Sequence, residues 1–237
     1  CAVRARRRRQ HALDHRRHLV GVVARARDAF ERVAVRARAD RGFVLLAAGK
    51  TPHVDMGLDD AGIEYSPKGV EVDDYLETSV KGIYAAGDVL GRFLYTHTGV
   101  YESRIAANNL LNPRRKITPN YSAVPRVTFA VPEVASVGMS EADCLKRDLP
   151  IKTGLSPVHI VARSNINNCR DGFVKVIADK HGILLGATVA APHAGEIIHE
   201  LTLAIQFGLT AHEVANTLHA FPSWSEAVRV ACSKVKV

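Results

Sequence analysis

The stretch Thr78-Ser79-Val80-Lys81-Gly82-Ile83-Tyr84-Ala85-Ala86-Gly87-Asp88 decides the fold. Its apolar run at 83–86 is closed on both sides by glycine, the pattern of a short buried strand. Such a strand delivers Asp88 at its C-terminal end, where open α/β sheets bind ligands. Glycine at 87 lets a ligand approach the backbone, and the Asp88 carboxylate can accept hydrogen bonds from a sugar or polyol chain. Taken alone, a Gly-Asp pair reads better as a mere turn that ends a strand.

Working outward, residues 43–48 (FVLLAA) form another apolar run ending at Gly49, and residues 69–73 alternate like a strand. Residues 101–111 are helical and stop at Asn112-Pro113; residues 112–123, with two prolines and Asn120, read as a linker. Strands are predicted at 126–129 and 135–138. A hairpin follows, 173–178 with 183–190, turned by Lys180-His181-Gly182. Helices follow at 194–207 and 211–218, and a last one runs from Ser223 or Ser225 through 230. Strands followed by helices predict an α+β domain after the α/β part.

The chain has 237 residues and 47% hydrophobic content, enough for one large domain or two small ones. Its net charge of +8 lies almost entirely in residues 1–41, where 13 arginines face four acids; the rest of the chain comes to −1. That distribution argues against nucleic acid as partner of the folded body. Residues 1–41 contain no lysine and lack turn chemistry. They read as a basic arm, as an Arg-rich transit segment, or as a segment out of frame. The last is preferred because folding signals begin abruptly near Gly42. The four cysteines, Cys1, Cys144, Cys169 and Cys232, have no metal-site or local-disulfide spacing. No apolar run approaches the roughly 20 residues that span a bilayer. A soluble, cytoplasmic, reducing setting with no membrane partner and no bound-metal site is expected.

The eleven residues 78–88 resemble the second FAD-binding motif of the glutathione reductase, dihydrolipoamide dehydrogenase and mercuric reductase family, the class I pyridine nucleotide-disulfide oxidoreductases. Leu45-Leu46-Ala47-Ala48-Gly49-Lys50-Thr51-Pro52 is similar to that family's strand and loop joining the nicotinamide domain back to the FAD domain. The resemblance implies FAD as cofactor, with Gly49, Gly87 and Asp88 at its site and Asp88 on the ribityl chain. Phe93-Leu94-Tyr95-Thr96-His97-Thr98-Gly99 opens a helix, whose N-terminus suits an electron-rich flavin edge. By resemblance Tyr95 and Thr96 present backbone amides there. His97 departs from the family pattern and reads either as part of the site or as a helix-start residue without a role.

Residues 124–231 resemble the family's dimerisation domain, through Asp171-Gly172-Phe173-Val174-Lys175, Gly186-Ala187 and Gly208-Leu209-Thr210 among others. A homodimer is implied, and Ile197, Ile198, Leu201, Ala204 and Ile205 offer an apolar helical face for it. The string His219-Ala220-Phe221-Pro222-Ser223-Trp224-Ser225-Glu226 is similar to the family's terminal His-Pro-Thr-x-x-Glu. There the histidine is the general acid/base and the glutamate orients it. Aligned on Glu226, the histidine position holds Phe221, which carries no titratable proton. His219 is the candidate substitute and reads also as an ordinary interface histidine, with Phe221 and Trp224 as packing at the subunit boundary. No Gly-x-Gly-x-x-Gly, Cys-x4-Cys or second Gly-rich loop occurs in residues 1–237.

The fold expected is therefore α/β and α+β: the remnant of a Rossmann-like FAD-binding domain at 42–113, then an α+β dimerisation domain at 124–231. The function implied is that of a fragment of an FAD-dependent NAD(P)H oxidoreductase acting on a small-molecule disulfide or a metal ion such as mercuric ion. The alternative is a truncated dimerisation module without activity of its own.

Overall fold

The computed structural model describes Leu19–Gly21, Phe43–Leu45 and residues 49–236. The chain divides into two compact units, one ending at Pro119 and the other beginning at Asn120. The remainder of the segment 1–41 lies outside the described residues. Within it Leu19–Gly21 (β1) pairs in parallel with Phe43–Leu45 (β2). Among the described residues no helix is long and apolar enough to cross a membrane.

In the first unit, Tyr65–Ser66 (β3) and Gly69–Val70 (β4) make a two-residue hairpin. The strand expected at 83–86 does not form. Val72 bridges Thr78 and Glu77 bridges Tyr84 as isolated pairs, and the chain then turns into a 3-10 helix, Gly87–Leu90. The apolar run is used for packing instead: Tyr84 and Ala85 lie against a core of Leu58, Val70, Leu76, Leu90, Ile105 and Ala106. Helix α1, Thr96–Leu111, begins five residues before the run 101–111 read as helical from its pattern, within the stretch 93–99 read as opening a helix. Its buried face is Thr98, Glu102, Ile105, Ala106 and Asn109, so the helical period is there but its first two turns bury polar residues. Asn109 is fully buried and donates to the Tyr75 and Ile117 carbonyls (2.9 and 2.8 Å) while accepting from the Ile117 N–H at 2.8 Å. Lys116 closes the same region by pairing with Glu77 beneath the rings of Tyr75 and Tyr84.

The second unit is built on a five-stranded sheet, antiparallel throughout. Its strands are Arg126–Thr128 (β5), Glu133–Gly138 (β6), Ile151–Pro157 (β7), Phe173–Asp179 (β8) and Leu184–Ala191 (β9), in the order β5-β6-β9-β8-β7. Short helices Glu141–Lys146 (α2) and Ala162–Ile166 (α3) and strand β7 had no predicted counterpart. Helices Ala194–Gln206 (α4), Ala211–Asn216 (α5) and Glu226–Ser233 (α6) complete the unit. The apolar face of α4 packs inward: Ile197, Ile198, Leu201, Ala204 and Ile205 are all buried in the unit's own core. The reading of that face as a dimer surface is therefore corrected. The large apolar residues left exposed here are Leu203 on α4 and, just beyond its end, Phe207. Trp224 likewise belongs to this core. Helix α6 comes so close to β7 that a Cβ at Gly154 would stand 2.0 Å from the Ala231 carbonyl oxygen.

Candidate functional site

The residues proposed for a cofactor collect at the start of α1. Gly87 opens the 3-10 helix at φ +84°, a left-handed conformation that glycine adopts without steric cost. Its N–H donates to the Glu102 carboxylate at 2.6 Å, and Glu102, 1% exposed, sits on α1. Gly87 and Gly99 also pass closely, since a Cβ on Gly99 would lie 3.2 Å from the Gly87 Cα. Two glycines and one buried carboxylate thus fix the 3-10 helix against the first turn of α1.

That fixing leaves Asp88 facing outward, its side chain about half exposed. Lys50 donates to the Leu94 carbonyl at 2.5 Å and lies 3.4 Å from the Asp88 carboxylate. One lysine therefore reaches both the carboxylate and the residue just ahead of α1. Both ends of that pair are solvated, so its contribution to stability is small. Tyr95 is the N-cap of α1, in extended conformation and without a side-chain cap; its ring stacks on His97 with centroids 5.2 Å apart. Thr96 and His97 are exposed in the first turn. Gly99 is the first residue to return its N–H to the helix, to the Tyr95 carbonyl at 3.1 Å. As at any helix start, amides ahead of it, such as those of Thr96 and Thr98, have no intrahelical acceptor. Thr98 Oγ1 is buried and makes no hydrogen bond to a described residue. Gly49 is exposed, at φ 112°.

This set fits a flavin dinucleotide in its chemistry. An outward carboxylate suits hydroxyl donors, a 16-residue helix turns its positive end toward the same place, and a buried hydroxyl lacks a partner. Lys50, Glu102 and Gly99 were not singled out from sequence. The first two carry generic charge, and their roles exist only once the 3-10 helix packs on α1.

In the second unit the structure separates the residues expected together. Glu226 accepts only a long bond from the Ser223 N–H (3.4 Å), and Phe221, after which the peptide to Pro222 is cis, is 76% exposed. His219 turns instead to Glu200 of α4, Nε2 to Oε1 at 2.7 Å, and its Nδ1 lies 2.8 Å from the Thr217 carbonyl. Both ring nitrogens are thereby committed within the unit, and the side chain is 4% exposed. Glu200 had no motif to announce it. Burial pushes its carboxyl above the usual range, against the pull of His219 and Ser225. Among the described residues no group of three or more His, Cys, Asp or Glu side chains is placed to hold a metal ion.

Comparison with known proteins agrees with this architecture. The model of the pyridine nucleotide-disulphide oxidoreductase family matches residues 25–108, and that of the family's dimerisation domain matches residues 124–232. Dihydrolipoyl dehydrogenase of Bacillus subtilis is 37% identical over 79% of this chain and 40% of that protein; its counterpart in Haloferax volcanii is 38% identical over 81% and 40%. The chain thus spans about 40% of the length of these relatives. Among solved structures, the HOCl-induced flavoprotein disulfide reductase RclA from Escherichia coli superposes with a TM-score of 0.75 at 27% identity, over 81% of this chain and 45% of that one. LpdA from Mycobacterium tuberculosis gives 0.74 at 30% identity, over 80% and 42%. With both units matched in order, the chain belongs to the pyridine nucleotide-disulphide oxidoreductase family.

Proposed function

We propose that this chain is the part of an FAD-dependent NAD(P)H oxidoreductase that grips the flavin's polyol chain and electron-rich ring edge, and that pairs with a second copy through the unit beginning at Asn120. The observation that carries this reading is Lys50, whose ammonium reaches both Asp88 and Leu94 and so places the carboxylate beside the start of α1. When bound, FAD would supply two-electron transfer from NAD(P)H to an acceptor. Asp88 would hold the ribityl hydroxyls. The opening amides of α1, at Tyr95 and Thr96, would face the ring edge, where the helix dipole favours negative charge. Glu102 and the two glycines keep the 3-10 helix and α1 in register while this happens.

The relatives' names favour a disulfide or dithiol acceptor, as in dihydrolipoyl dehydrogenase, over a metal ion such as mercuric ion. One observation favours the second reading, a module without dithiol chemistry of its own: Phe221 stands where the resemblance places the general acid, and both nitrogens of His219 are engaged inside the unit. Titration of the apo-protein with FAD, followed by flavin fluorescence, tests the site. A charge-assisted bond of about 1.5–3 kcal/mol predicts that Asp88→Ala weakens retention by roughly one to two orders of magnitude. His97→Ala should change it far less. Unaltered FAD affinity in Asp88→Ala would remove this segment from the cofactor site.

A further inference from the structure

The contact between His219 and Glu200 needs a proton that nothing else in its surroundings can supply. Nδ1 faces the Thr217 carbonyl at 2.8 Å, and a carbonyl only accepts, so Nδ1 carries a hydrogen. The 2.7 Å contact from Nε2 to Glu200 then holds if either atom carries one further proton. Without it, two lone pairs face each other at hydrogen-bond distance beside a ring that is 4% exposed, where water cannot substitute. His219 lies in the connection between Asn216 at the end of α5 and Glu226 at the start of α6. The same connection carries Leu218 at 99% exposure, Phe221 at 76% and the buried Trp224. The Trp224 Nε1 makes no hydrogen bond to a described residue, so packing alone holds the indole.

We propose that His219 and Glu200 form a one-proton latch that holds this connection, Trp224 included, against α4, and that losing the proton in alkaline solution frees it. Two other groups face the pair. The Ser225 hydroxyl bonds to Glu200, and the Cys232 thiol of α6 feels its charge. Burial, with Glu200 adding to it, pushes that thiol up to about 12, so it stays protonated while the latch titrates. The raised carboxyl of Glu200 acts in the same direction as the geometry. Its contribution is complete below the ordinary carboxylate value and is lost as pH rises through the raised folded value. The latch involves only residues of the second unit and stands apart from the flavin reading.

Trp224 is the single tryptophan of the chain and therefore reports on the connection directly. Acrylamide quenching of its emission is measured from about pH 6 to about pH 9.5, across which the shared proton is to be released, with far-UV circular dichroism confirming that the fold persists. Release of one proton predicts an opening constant that rises about tenfold per pH unit once the pair titrates. Glu200→Gln, whose amide donates to Nε2 without titrating, is expected to show flat quenching. Should that variant fail to fold, His219→Gln, whose amide donates to Glu200 without a shared proton, carries the same expectation. Quenching in the parent that stays flat over the whole range, or a folded variant that reproduces the parent's rise, overturns the latch.

Discussion

At position 102 a carboxylate is 1% exposed, and it accepts from the backbone N–H of Gly87, 2.6 Å away. A buried donor stripped of its acceptor costs about 1–3 kcal/mol. Glu102→Leu, which keeps an apolar face on the helix, is therefore expected to lower the unfolding free energy by about that much, read as a shift in urea midpoint against the parent. FAD affinity should fall with it, because the 3-10 helix that presents Asp88 loses its anchor. The sequence singled out Asp88 because a carboxylate after an apolar run has local meaning. Glu102 has none locally, since a glutamate on a helix is ordinarily a solvated residue. Its role depends on two glycines 12 residues apart, Gly87 and Gly99, passing closely enough to bring a backbone N–H over the helix. His219 gives the converse case. Its motif suggested Glu226 as partner, but the ring turns to Glu200, 19 residues upstream, on a face of α4 that periodicity alone assigns to packing.

Among the elements, those with a complete local code were the ones placed well. The hairpin of β8 and β9 and the helices α4 and α5 agree with their predicted positions to within about two residues, the usual uncertainty of element ends. The periodic run read for α1 starts late because the helix's opening turns bury Thr98 and Glu102, which periodicity counts as polar. Strand β7 was missed because Ile151–Pro157 contains lysine, threonine, glycine and serine and takes its order from β8. Helix α5 carries its own start signal, a capping box. Thr210 accepts from the Glu213 N–H, and the Glu213 carboxylate accepts from the Thr210 N–H at 2.7 Å. The Thr210 backbone N–H first, and then its hydroxyl, hold the Glu213 carboxyl below the usual carboxylate range. A depressed carboxyl contributes fully above its unfolded value and loses that contribution as pH falls through the folded one. Thr210→Ala should cost about 1 kcal/mol through the lost N-cap bond from the Glu213 N–H. Only the part carried by the lost hydroxyl-to-carboxylate bond should shrink in acid, since the backbone bond to Glu213 survives the change, as chemical denaturation at neutral and acid pH would show.

For the molecule as a whole, the two units draw on different sources of order. The first has a small apolar core supplemented by buried polar pairs such as Asn109 with Ile117, and the second has a large aliphatic core over an antiparallel sheet. The second also leaves Phe129, Val131, Leu203, Phe207, Leu218 and Phe221 exposed, more large apolar surface than a solitary unit needs. A dimeric mass by light scattering at micromolar concentration is the expected outcome, and Phe207→Asp combined with Leu218→Asp should shift it toward monomer without unfolding the chain. A monomeric mass for well-folded parent protein would count against the pairing. The division into two parts and their order were legible because each carries its own motifs. The surface available for pairing was not, because the helical face that looked suitable is consumed by the unit itself. The approach of α6 to β7 has a consequence for anyone cataloguing natural variants. Gly154→Ala looks like the mildest of changes and arises from a single base substitution, yet the added methyl would overlap the Ala231 carbonyl oxygen at 2.0 Å. An allele at this codon would be scored benign by chemical similarity while wedging the last helix off its sheet.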